Sequence, residues 1–162
     1  MRCLAALFTF LLFLPVSALA QDFSGRVVGI ADGDTITVLH DHTTIKVRLR
    51  GIDCPERGQP FGKAAKQATA AMAFRKVVTV NVRGRDKYGR TVAEVVLPDG
   101  RTLNEELVIQ GLAWQYRKYS HDPRLALMEA EARGTKRGLW ADPDPVPPWE
   151  WRKLRKIGGR QP

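Results

Sequence analysis

Five short segments of this chain alternate apolar and polar residues with a period of two, and one stretch of helical period falls after the third of them. Alternation sends successive side chains to opposite faces of a strand, so each segment can bury one side and wet the other. The segments begin with Arg26-Val-Val-Gly-Ile30 and Asp34-Thr-Ile-Thr-Val38, where Ile36 and Val38 share a face. After the polar turn His40 to Thr43, Ile45, Val47 and Leu49 alternate with Lys46, Arg48 and Arg50, giving an apolar face and a basic face. Beyond Pro60, Phe61, Ala64, Ala65, Ala68, Ala71 and Met72 recur at helical spacing, which predicts a helix over 61–75. Val78, Val80 and Val82 form the fourth segment and Thr91 to Leu97 the fifth, before Pro98-Asp-Gly100 turns the chain. Five strands with a helix after the third match the order of an OB barrel.

Two further helices are expected. Thr102 and Glu105 have capping-box spacing, so a short helix is predicted from Leu103 to Gln110, stopping at Gly111. Asp122 is a natural N-cap with Pro123 at the first helical position, which predicts a helix with Leu125, Met128 and Ala132 on its core face, ending near Gly138. The fold class is therefore α+β, mostly β: a five-stranded OB-fold barrel with three helices packed on it.

The ends of the chain read differently from its middle. Met1-Arg2 precedes an apolar run from Cys3 to Val16, and Ala18-x-Ala20 supplies the small residues of a cleavage site. The run is short of the roughly 20 apolar residues a bilayer-spanning helix needs, so residues 1–20 read as a signal peptide. A secreted or periplasmic protein without a transmembrane segment is expected, with a domain over 21–141. Residues 142–162 open with Asp142-Pro-Asp-Pro-Val-Pro-Pro148 and continue as a basic tail. Trp149 and Trp151 beside Arg152, Lys153, Arg155 and Lys156 either stack on bases and neutralise phosphates or fold back on the domain. Only two cysteines are present and Cys3 leaves with the leader, so no disulfide framework holds the fold.

Charge narrows the choice of partner. Lys and Arg number 26 against 17 Asp and Glu, a formal +9 with a pI near 10.0, which favours an anionic partner. Four local features then combine acids with arginines: Asp32-Gly-Asp34, Arg48, Asp53-Cys-Pro-Glu56 and Asp86-Lys-Tyr-Gly-Arg90. Singly each has an ordinary explanation, since Asp-Gly-Asp makes a solvated turn and most arginines lie on the surface. Together they suit phosphodiester hydrolysis. Asp34 has the inward parity of Ile36 and Val38, and Pro55 stiffens the segment that carries Asp53 and Glu56. Two carboxylates and a backbone carbonyl make a hard-oxygen site suited to Ca²⁺. A nearby Glu can deprotonate water, and two guanidinium groups can grip phosphate oxygens as charge builds. A transition-metal site at His40 and His42 lacks the further ligands it would need.

Asp32-Gly-Asp-Thr-Ile36, Arg48-Leu-Arg-Gly-Ile-Asp-Cys-Pro-Glu56, Asp86-Lys-Tyr-Gly-Arg90 and Asn104 to Leu112 together resemble the staphylococcal nuclease family, in the family's order, over about Gly25 to Trp140. The resemblance implies an OB-fold nuclease in which Asp34, Asp53 and the carbonyl of Cys54 ligate Ca²⁺. It also implies Glu56 as general base and Arg48 and Arg90 as phosphate-binding, catalytic arginines. Lys87 and Tyr88 would lie beside the nucleotide, with Tyr119 and then Tyr116 as the further tyrosine. The implied reaction is hydrolysis of DNA and RNA with 3′-phosphate products; single-stranded or unpaired regions are expected to be preferred, and the protein is expected to be a monomer. The competing readings are a non-catalytic OB module that binds single strands, and a basic tail that docks an acidic partner or membrane surface.

Overall fold

The computed structural model describes residues 21–158, so the segment read as a signal peptide lies outside the described residues. Strands β1 (Phe23–Asp32), β2 (Thr35–His40) and β3 (Thr43–Leu49) run as an antiparallel meander, and the two-residue β4 (Ile52–Asp53) follows. Helix α1 (Gly62–Ala73) then crosses to β5 (Val77–Arg85), which forms a hairpin with β6 (Thr91–Val96). The five long strands close into a barrel in the order β1-β2-β3-β6-β5, with β5 returning to pair with β1. The period-two reading therefore holds, and β3 meets β6 in the one parallel pairing of the barrel.

Alternation delivers the core. Val27, Ile36, Val38, Val47, Val80, Ala93 and Val95 are wholly inaccessible inside the barrel, each Val or Ile contributing about 1.5–3 kcal/mol by its burial. Helix α2 (Leu103–Ile109) seals one side with Leu103, Leu107 and Val108. Its buried Asn104 ties β6 to the turn after β3: the side-chain amide donates to the Arg50 carbonyl at 2.9 Å, and its oxygen accepts from the Val95 N–H at 3.1 Å. The anticipated capping box is absent. Thr102 makes no side-chain cap although its backbone has the extended conformation of an N-cap, and Glu105, the other half of the box, is drawn to Arg124 at 3.3 Å.

The chain continues through β7 (Trp114–Gln115), which pairs with β4, to helix α3 (Pro123–Gly134). Asp122 caps α3 as its sequence predicts, accepting from the Arg124 N–H at 2.9 Å. Leu125 and Ala132 are buried, and Met128 packs against the core. The helix ends at Gly134 rather than near Gly138, since Lys136 turns left-handed at φ 52° and a separate 3₁₀ turn spans Gly138–Ala141.

Three helices were expected and the structure contains a fourth, α4 (Pro148–Gly158), built from the basic tail. Its Trp149 lies edge-on to Trp114 at 5.7 Å and stacks on Tyr116 at 5.3 Å, with ring planes 2° apart. Of the two readings of the tail, the structure takes the one that folds back. The prolines before α4 are tied to the domain through Gln59, whose side-chain amide donates to the Val146 carbonyl at 2.7 Å.

Candidate active site

Four segments meet at one mouth of the barrel. The register of β1 shifts between Ile30 and Asp32, just before the turn that carries Gly33 and Asp34. Such irregularities re-aim side chains at strand ends. Arg48 stands opposite Thr35 in the β2–β3 ladder, which brings it beside Asp34. Strand β4 carries Asp53, and Pro55 leads into a tight turn in which the Glu56 carbonyl accepts from the Gln59 N–H at 2.9 Å. The Glu56 N–H in turn donates to Gln59 Oε1 at 2.9 Å, so both backbone groups of Glu56 are held by one glutamine.

Arg48 joins the first acids. Its Nη1 is ion-paired with Asp34 and its Nη2 with Asp53 Oδ1 at 2.7 Å. The other oxygen of Asp34 accepts from the Cys54 N–H at 2.7 Å, which fastens the β1–β2 turn to the segment after β4. Asp34 and Asp53 are 5% and 1% exposed, so these bonds substitute for lost water. The Cys54 side chain is buried too, and burial pushes its thiol well up, leaving it neutral and packed rather than reactive.

Arg90 approaches from the loop between β5 and β6. Its Nε donates to Asp86 Oδ2 at 2.7 Å, and Nη1 lies 3.4 Å from the Thr35 hydroxyl, next to Asp34. Lys87 and Tyr88 occupy the tip of this loop, with Tyr88 72% exposed and the Lys87 ammonium 5.0 Å from its ring centre. Tyr119 is also exposed, whereas Tyr116 is half-buried beneath Trp149. His40 stands apart from this mouth, with Nδ1 2.8 Å from the Ser24 carbonyl oxygen.

The sequence reading puts Arg152 in the basic tail rather than at this mouth. Arg152 of α4 places Nη2 at 2.7 Å from Asp53 Oδ2 and pairs Nη1 with Glu56. The only hint in the sequence is the pair of tryptophans around it, which need a surface to cover them.

Acids outnumber arginines here, with Asp32, Asp34, Asp53, Glu56 and Asp86 against Arg48, Arg90 and Arg152. Burial, and then the Asp34 charge, push the Asp32 carboxyl up to about 6. Burial likewise raises Asp53, against the opposing pull of Arg152 and Arg48. Burial works against the charge on Arg48, but the Asp34 and Asp53 carboxylates outweigh it and keep the guanidinium protonated. Crowded, partly desolvated carboxylates with an unbalanced negative charge are a donor set for a hard divalent cation. Among the described residues no three acidic, histidine or cysteine side chains stand as a preformed cage. The guanidinium groups of Arg48 and Arg152 lie on the carboxylate oxygens instead.

An OB-type barrel with acids and arginines convergent at its mouth defines a protein that handles phosphodiesters. Residues 46–142 match the family described as Staphylococcal nuclease homologue. A protein of Escherichia coli described as an uncharacterized endonuclease is 43% identical over 152 residues, covering 94% of this chain and 98% of that protein. A micrococcal nuclease of Shigella flexneri is 42% identical over 166 residues, covering 96% of this chain and 94% of its own length. The chain belongs to the staphylococcal nuclease family, and nuclease activity is what that membership supports.

Proposed function

We propose that this chain is a calcium-dependent nuclease that hydrolyses DNA and RNA to 3′-phosphate ends, acting as a monomer on single-stranded or unpaired stretches. It would do so outside the cytoplasm after loss of residues 1–20. The observation that carries the reading is the double pairing of Arg48 with Asp34 and Asp53, with Glu56 and the anchored Arg90 beside them.

Asp34, Asp53 and the carbonyl of Cys54 would hold the cation. Bound Ca²⁺ supplies positive charge that neutralises the phosphodiester oxygens. Glu56 takes the proton of the attacking water, a bond forms from water oxygen to phosphorus, and the bond to the 5′-oxygen breaks as that oxygen gains a proton from solvent. Arg90, oriented by Asp86, and the outer part of Arg48 donate to the phosphoryl oxygens, where charge accumulates in the transition state. Lys87, Tyr88 and Tyr119 are placed to meet flanking nucleotides as an ammonium and two exposed rings.

The test is to incubate residues 21–162 with single-stranded DNA and with RNA, in Ca²⁺ and in chelator, beside Glu56→Gln. Cutting that needs Ca²⁺, leaves 3′-phosphates and falls by about 10² or more in the variant is expected. Shifted but intact strands would replace this reading with a non-catalytic binding module.

A further inference from the structure

Helix α4 does three things at once at the candidate site. Trp149 stacks on Tyr116 and meets Trp114 edge-on, which seats the helix beside β7. Gln59 ties the Pro-rich approach to the turn that holds Glu56. Arg152 then bonds both oxygens of Asp53 and one oxygen of Glu56. A guanidinium in that position satisfies the same carboxylates that a cation and its water would need.

We propose that α4 is an internal plug whose Arg152 stands in for the cation at Asp53 and Glu56, so that helix docking and cation binding exclude one another. This rests on the calcium reading given above. A divalent ion set against Asp53 would lie within a few ångströms of the Arg152 charge, in a mouth where desolvation strengthens repulsion. The hydrogen-bonding geometry adds to this, because Arg48 already holds Asp53 Oδ1 and Arg152 takes Oδ2, the oxygen that Arg48 leaves open, together with one oxygen of Glu56. A resting protein would carry its base and its ligand neutralised, and would expose them when α4 lets go. Lys153, Arg155 and Lys156 are exposed even in the docked helix, so what release adds for an approaching phosphate backbone is the Arg152 guanidinium, which gives substrate a second way to favour the open state.

The seat of the helix and the charge of Arg152 separate in two full-length variants. Arg152→Gln removes the competing charge, whereas Trp149→Ala keeps every charge and weakens only the stacking that seats α4. Ca²⁺ binding is measured by calorimetry without nucleic acid, and hydrogen exchange is followed across residues 148–158 with and without Ca²⁺. If the docked form holds about nine-tenths of the population, freeing the site tightens Ca²⁺ binding about tenfold. Both variants should show that tightening, and Ca²⁺ should speed exchange in α4 of the wild type. Tightening in Arg152→Gln alone, with α4 exchange indifferent to Ca²⁺, would reduce Arg152 to a nearby charge and overturn the plug. Weaker binding in both variants would overturn it as well, making α4 part of the working site. Absence of Ca²⁺ binding in all three proteins would overturn the calcium reading and the plug together.

Discussion

Gly33 sits so close to Cys54 that a β-carbon added to it would lie 2.7 Å from the Cys54 Cβ and 2.8 Å from that of Ala65. The turn carrying Asp32 and Asp34 is thereby pressed against the segment carrying Asp53, with α1 behind it. The Gly33 carbonyl also accepts from the buried Thr69 hydroxyl at 2.6 Å, so the turn has no freedom to retreat. Gly33→Ala should cost about 1–3 kcal/mol by overpacking, read as a lower denaturation midpoint. It should also reduce cleavage by moving Asp34 off the Cys54 N–H. A variant with wild-type midpoint and activity would show that this contact is slack.

Arg90 reaches the mouth by way of Asp86. Hydrogen bonds from the Arg90 side chain and from the Arg90 and Tyr88 backbone outweigh desolvation and hold the Asp86 carboxyl below its usual range. Arg90→Ala should lower cleavage by about 10² on the scale of a lost oxyanion donor. Asp86→Asn should cost less, because it disorients Arg90 without removing it. Steady-state rates on one single-stranded substrate check both, and an Asp86→Asn loss larger than that of Arg90→Ala would reverse the assigned order.

The barrel and the acids of the site were readable because both follow short-range rules. Period two assigns Ile36 and Val38 to the core and carries Asp34 in with them, and Pro55 announces a stiff segment beside Asp53. Arg152 obeys no such rule: it stands 96 residues from Glu56, in a tail that has the composition of a solvated basic arm. Gln59 and Glu129 were missed for a related reason, since a polar residue in a loop or on a helix looks solvated until its neighbours are known. The failed capping box at Thr102 is the reverse case, in which the Glu105 of a local motif is taken by Arg124 from another helix.

Glu129 shows what that blind spot concealed. It is 1% exposed on α3, accepts from the Gln115 N–H at 2.6 Å, and is gripped by Arg133 through bonds of 2.9 and 2.7 Å. Gln115 belongs to β7, the partner of β4, so this carboxylate supports the strand pair that positions Asp53. Arg133 meanwhile lies over the Trp140 ring at 3.7 Å. Glu129→Ala leaves a buried N–H without a partner and should destabilise by about 2 kcal/mol. Activity measured well below the melting temperature should fall as well. An unchanged melting temperature would mean that water replaces the carboxylate.

Asp122 supplies the pH dependence whose sign is clearest. Hydrogen bonds from the Arg124 side chain and then from its backbone N–H lower the Asp122 carboxyl below its ordinary value. A depressed folded value means that the unfolded chain binds the proton more readily, so the contribution is fully present above about pH 4 and is lost as pH falls through the folded value. Asp122→Ala should therefore cost about 1 kcal/mol at neutral pH, the usual scale of a lost N-cap. That deficit should shrink as the pH is taken down from about 4 through the depressed folded value, as the wild-type carboxylate gains its proton. Urea unfolding of both proteins across this range measures it directly. A deficit that is constant with pH would mean that the cap works as a neutral acceptor and owes nothing to its charge or to Arg124.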